Sequence, residues 1–80
     1  TEERRKEMVK LTKRNGEDAK IAMRKHRRDA MDMLADAVKE SEVSEDDAER
    51  GKKKVEEIVT ASVKSVDKVV QERESQIMEV

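Results

Sequence analysis

Apolar residues recur along this chain at intervals of three and four, and the recurrence breaks once. At 100° per residue, Met8, Leu11, Thr12, Asn15, Ala19, Ala22, Met23, His26, Ala30, Met33, Leu34 and Ala37 fall in one stripe, which predicts an amphipathic helix over about residues 2–40. A second stripe collects Ala48, Val55, Ile58, Val59, Ser62, Val66, Val69, Val70, Arg73, Ile77 and Val80, predicting a helix over about residues 45–78. Its start is signalled by Ser44 with Asp47 three residues on, a near match to a capping box, by Val43 as a staple, and by acids in the first turn. The valines weaken the intrinsic helix preference of this second segment, so packing has to hold it.

The segment Lys39-Glu40-Ser41-Glu42-Val43 is too short for anything but a reversal. The expected fold is therefore all-α, a long antiparallel helical hairpin. Each stripe is wider than a two-helix seam needs, which predicts a third helix, supplied by another chain, another copy or another part of the same protein. Proline is absent and the two glycines, Gly16 and Gly51, stand apart, so few breaks interrupt either helix.

Composition narrows the chemistry. The 80 residues are 34% hydrophobic and 49% charged, with no aromatic residue and no cysteine. Disulfides, thiolate nucleophiles and cysteine-ligated zinc are excluded. No apolar run is long enough to span a bilayer. The net charge of −1 conceals a division. Nearly all the cations of the first helix lie before Asp29, with Glu7, Glu17 and Asp18 the acids among them, and acids dominate from Asp29 onward.

Lys6, Lys10, Lys13, Lys20, Arg24, Arg27 and Arg28 line one sector of the first helix beside the apolar stripe. A row of this kind can follow a phosphodiester backbone and release its counterions, and arginine adds a planar fork that grips phosphate with two donors. The alternative is a solvated face pinned by acids one turn away. Such acids are scarce in the helix itself, since Lys20 precedes Arg24 by four residues and Arg24 precedes Arg28 by four. A polyanionic partner is the expectation.

His26 interrupts the run RKHRR at an angle in the middle of the apolar stripe. It is read as a packed, structural ring. No second His or Cys completes a transition-metal site, and Asp29 at i+3 without a nucleophile makes no triad. Glu45-Asp46-Asp47 lacks the alternation and glycine of a calcium loop, and Glu56-Glu57 is read as solvent-facing without a second carboxylate pair. No glycine-rich phosphate loop occurs. The expectation is a protein that is not an enzyme and has no metal, cofactor or small-molecule substrate.

Four segments carry a resemblance. Thr1-Glu2-Glu3-Arg4-Arg5-Lys6-Glu7, the Arg24-x-x-Arg27-Arg28-Asp29-Ala30 run, Val43-Ser44-Glu45-Asp46 and Ile77-Met78-Glu79-Val80, in this order and at these separations, resemble the C-terminal portion of bacterial-type ribosome recycling factor. The resemblance implies that the chain corresponds to the second and third helices of an elongated three-helix bundle. The family's first helix and inserted β-rich domain then have no counterpart here. It also implies binding to large-subunit rRNA and, with elongation factor G and GTP hydrolysis, the splitting of post-termination ribosomes, in the bacterial cytoplasm or an organelle matrix and without a membrane partner. The arginines matching rRNA contacts are Arg5, Arg24, Arg27 and Arg28, with Lys6, Lys10, Lys13 and Lys20 as a secondary row. The sequence departs from the family's pattern at His26, at Met31, and at Glu56-Glu57-Ile58-Val59-Thr60. A rival reading of another class is a helical or coiled-coil protein interaction module in which the basic row only solubilises.

Overall fold

Helix α1 spans Glu2–Lys39 and helix α2 spans Glu45–Met78 in a computed structural model that describes residues 1–79. Val80, the last position of the second stripe, lies outside the described residues. No strand occurs among the described residues. Both helices begin on a hydroxyl cap that satisfies a backbone N–H the helix leaves unpaired. Thr1 Oγ1 accepts from Arg4 N at 3.3 Å, and Ser44 Oγ accepts from Asp47 N at 3.1 Å. Glu2 and Glu3 fill the first turn of α1, and Glu45, Asp46 and Asp47 that of α2, where acids oppose the positive end of the helix dipole.

The reversal is a Schellman turn without its usual glycine. Glu42 N donates to Ala37 O at 2.8 Å and Ser41 N donates to Val38 O at 2.9 Å, pairing two carbonyls that the end of α1 leaves free. Ser41 takes the left-handed position at φ 57°. This conformation brings Cβ close to the following carbonyl, which is why glycine is preferred there.

The helices run antiparallel, and the molecule measures 60 × 15 × 9 Å. Thirty-eight helical residues at 1.5 Å each give about 57 Å, so α1 sets the long axis. The seam is thin: among the described residues only Gly16 and Ala48 are buried. Around them Val9, Thr12, Ala19, Met23, Ala30 and Leu34 of α1 half-bury against Val55, Val59, Ser62, Val66, Val70 and Ile77 of α2.

The glycines are contact points within the helices. A Cβ on Gly16 would stand 2.5 Å from Val70 Cγ2, so the backbones approach there as only glycine allows. A Cβ on Gly51 would meet the Leu34 Cδ atoms at 3.1 and 3.3 Å.

Half of the α1 stripe and a smaller part of the α2 stripe are uncovered. Met8, Leu11, Met33, Ile58 and Val69 are 48–71% exposed, because one partner helix covers a narrow strip of a stripe wide enough for two. His26 shares this fate: it is exposed and does not sit in a core. The reading of His26 as a packed ring is therefore corrected. The seam instead runs through Val9, Gly16 and Arg27, a fraction of a turn toward the basic sector.

Candidate nucleic-acid interface

The seam has two flanks, and charge occupies one of them. Lys13, Lys20 and Arg27 recur every seven residues along α1, two turns apart, so they stay on one side of the seam. Antiparallel packing sets Glu74, Asp67 and Glu56 of α2 opposite them. Lys13 Nζ lies 3.7 Å from Glu74 Oε1, and Lys20 Nζ lies 2.8 Å from Asp67 Oδ1 and 2.9 Å from Glu17 Oε1. Arg27 donates from Nε to Glu56 Oε1 at 2.8 Å and from Nη2 to the same oxygen.

These rungs correct the expectation that the basic row lacks partners. Apart from Glu17, one turn before Lys20, the acids that neutralise it come from the other helix, where spacing within α1 could not show them. Lys20 is the most enclosed, its side chain 19% exposed against 43% for Arg27 and 64% for Lys13. Its hydrogen bonds to Asp67 and then Glu17 raise its pKa. The Arg27 hydrogen bond is likewise the first cause of the lowered Glu56 pKa and of the raised Arg27 value. The Lys13 rung is the loosest, and Glu74 Oε1 is enclosed without a hydrogen bond.

Beyond the rungs the basic sector is free. Arg24, Arg28, Lys6 and Lys10 are exposed and form no ion pair among the described residues. Arg24 and Arg28 are one turn apart, so their guanidinium groups share a face and repel each other weakly unless an anion joins them. Arg5 stands elsewhere: it lies 3.6 Å from Glu2 and lines the end of the uncovered flank with Met8, Leu11 and Ile77. The eight predicted site residues thus fall into three places. Four cations are free on the outer face, three are rungs, and Arg5 borders the opposite flank.

That opposite flank is a groove of about 610 Å³ lined by Gly16, Ala19, Met23, Val66, Val69 and Val70, with Thr12, Asn15 and Arg73 at its polar margin. No group of three His, Cys, Asp or Glu residues among the described residues is arranged to hold a metal ion. No helix is long and apolar enough to cross a membrane.

The family pattern described as "Ribosome recycling factor" matches residues 1–78. The chain belongs to that family. Curated ribosome-recycling factors align over all 80 residues: that of Sorangium cellulosum is 55% identical, that of Chlorobaculum parvum 48% and that of Chlorobium luteolum 46%. In each case the chain spans 43% of the relative's length. A recycling-factor hairpin therefore carries one flank closed by ion pairs, an outer edge of free arginines, and one flank open.

The sequence reading missed the acids Glu56, Asp67 and Glu74. A signal existed: Glu74 and Asp67 are seven residues apart, matching the Lys13–Lys20 step, and Glu56 follows eleven residues before Asp67. Intervals of seven and eleven keep side chains on one face of a helix.

Proposed function

We propose that this chain is the helical-hairpin part of a ribosome recycling factor and that its outer basic edge docks on large-subunit rRNA. The observation carrying this reading is the pair Arg24 and Arg28, exposed, one turn apart and without an acid partner among the described residues. In water two such neighbours destabilise their helix slightly, whereas a phosphate between them converts repulsion into charge-assisted hydrogen bonds. Lys6 and Lys10 extend the edge toward the N-terminus of α1 and add point charges that follow a backbone without reading bases. Arg27, Lys13 and Lys20 act beside them as cations already oriented by acids. Arg5 joins the contact on the strength of the family resemblance.

Docked in this way the protein works as a rigid wedge. Elongation factor G and GTP hydrolysis supply the force that separates the subunits after termination, and the hairpin transmits it because both helices are continuous. The open flank receives the remaining helix of the three-helix bundle, which covers Met8, Leu11, Ile58 and Val69. That uncovered flank also favours the second reading, a helical interaction module that pairs through its apolar side. Hydroxyl-radical footprinting on isolated large subunits separates the two. The docking reading expects rRNA protection that disappears with the double substitution Arg24→Ala and Arg28→Ala. Protection unaffected by that substitution, with helicity retained, would refute it.

A further inference from the structure

We infer that Glu56 is a positioning residue for the Arg27 guanidinium, holding one edge of the fork so that the other is presented to an rRNA phosphate. This rests on the docking reading above. A free arginine explores many rotamers, and binding must freeze them. Here Nε and Nη2 of Arg27 both donate to Glu56 Oε1, which occupies one side of the planar group. Nη1, with the remaining hydrogen of Nη2, makes no hydrogen bond among the described residues. That second edge has the two-donor geometry that fits a phosphate.

Both side chains are about half exposed, so the second edge is accessible. Arg24 and Arg28 have no comparable brace among the described residues. Of the three clustered arginines, Arg27 is thus the one whose direction is set before binding. The hydrogen bond also keeps Glu56 ionised below the usual carboxylate range, so the brace persists through neutral pH.

The test is a double-mutant cycle on binding of the full chain to isolated large ribosomal subunits, with helicity followed by circular dichroism. Glu56→Ala is expected to weaken binding about two- to tenfold, the range that freezing one rotamer-rich side chain covers. Glu56→Gln should weaken it less, since the amide oxygen still accepts from Nε and Nη2. In an Arg27→Ala background Glu56→Ala should change nothing further. Tighter binding by Glu56→Ala overturns the inference, because the carboxylate would then be repelling phosphate. Equal loss with and without Arg27 also overturns it, since Glu56 would then act through the fold.

Arg24→Ala serves as the gauge of the docking reading. If it weakens binding while Glu56→Ala does not, the inference alone falls. If Arg24→Ala and Arg27→Ala both leave affinity intact, the docking reading falls and takes the inference with it. A readout independent of the ribosome is the Arg27 Nε–H proton signal. It should be slow to exchange in the unaltered chain and in Glu56→Gln, and fast in Glu56→Ala; equal rates in all three contradict the brace.

Discussion

The two flanks of the seam solve opposite problems. On one, Lys13, Lys20 and Arg27 meet Glu74, Asp67 and Glu56, so a strip of mixed charge faces water and needs no further covering. On the other, Gly16, Met23, Val66 and Val69 border a groove that leaves apolar surface in solvent. A hairpin built to stand by itself would place charges along both. The asymmetry indicates which side is finished and which is shaped for another helix. It also locates the free arginines, which lie beyond the finished side and away from the groove.

Adjacent valines offer the largest break in this comparison. Val70 sits in the seam against Gly16, whereas Val69 is 58% exposed on the open flank. Val70→Asp should cost about 2–3 kcal/mol by forcing a carboxylate into the seam, enough to melt a fold this thin. Val69→Asp should cost within about 0.5 kcal/mol, as surface substitutions do. Thermal unfolding followed by circular dichroism compares them directly, and equal losses would mean that the open flank is not open.

The glycines come next in size. Gly16→Ala gains helix propensity but drives a methyl into Val70, whose branched side chain has little freedom in a helix, for a net loss of about 1–2 kcal/mol. Gly51→Ala meets the end of a leucine that can move aside, so the propensity gain of about 1 kcal/mol should largely survive. Denaturant midpoints of the two variants should therefore move in opposite directions.

Smaller effects come from the rungs. Lys20→Met should lower the melting temperature at low salt, and the difference should shrink in concentrated salt as screening removes the pair. The pH response has a defined sign. Glu56 has a lowered pKa, so its contribution is complete above the usual carboxylate range and is lost only as acid pH falls through the lowered value. Lys20 has a raised pKa, so its contribution is complete below the ordinary lysine value and is lost only as strongly alkaline pH passes the raised one. A stability profile flat through neutrality, with losses at both ends, is the expected result.

The smallest changes fall at Ser41 and His26. Ser41→Gly should stabilise by about 0.5 kcal/mol by relieving the left-handed conformation. His26→Ile should be within about 0.5 kcal/mol of neutral in this hairpin, because the ring is exposed. A gain well above that would return His26 to a packed environment.

The all-α hairpin was legible because its signals are local. Spacings of three and four define each helix, and the Ser44 hydroxyl bonds the N–H of Asp47 as its sequence position suggested. Which half of each stripe meets the partner was not legible. That choice depends on the rotation of one helix against the other, and Gly16, read as an isolated interruption, decides it by close approach to Val70. The partners of the basic row were hidden for a related reason. Spacing within α1 reveals only acids one turn away, whereas those that bind Lys20 and Arg27 across the seam are 47 and 29 residues distant. Arg24 has no acid one turn away in α1 and Arg28 has Asp32 four residues on, yet neither forms an ion pair among the described residues.

Salt dependence of large-subunit binding tests the docking claim most directly. Each phosphate neutralised contributes about 0.7–0.9 to the slope of log affinity against log salt. The unaltered chain is expected to show a slope equivalent to about three to five phosphates, and Arg24→Ala with Arg28→Ala together should flatten it by about 1.4–1.8. A slope near zero, or one that the double substitution leaves unchanged, would contradict the account.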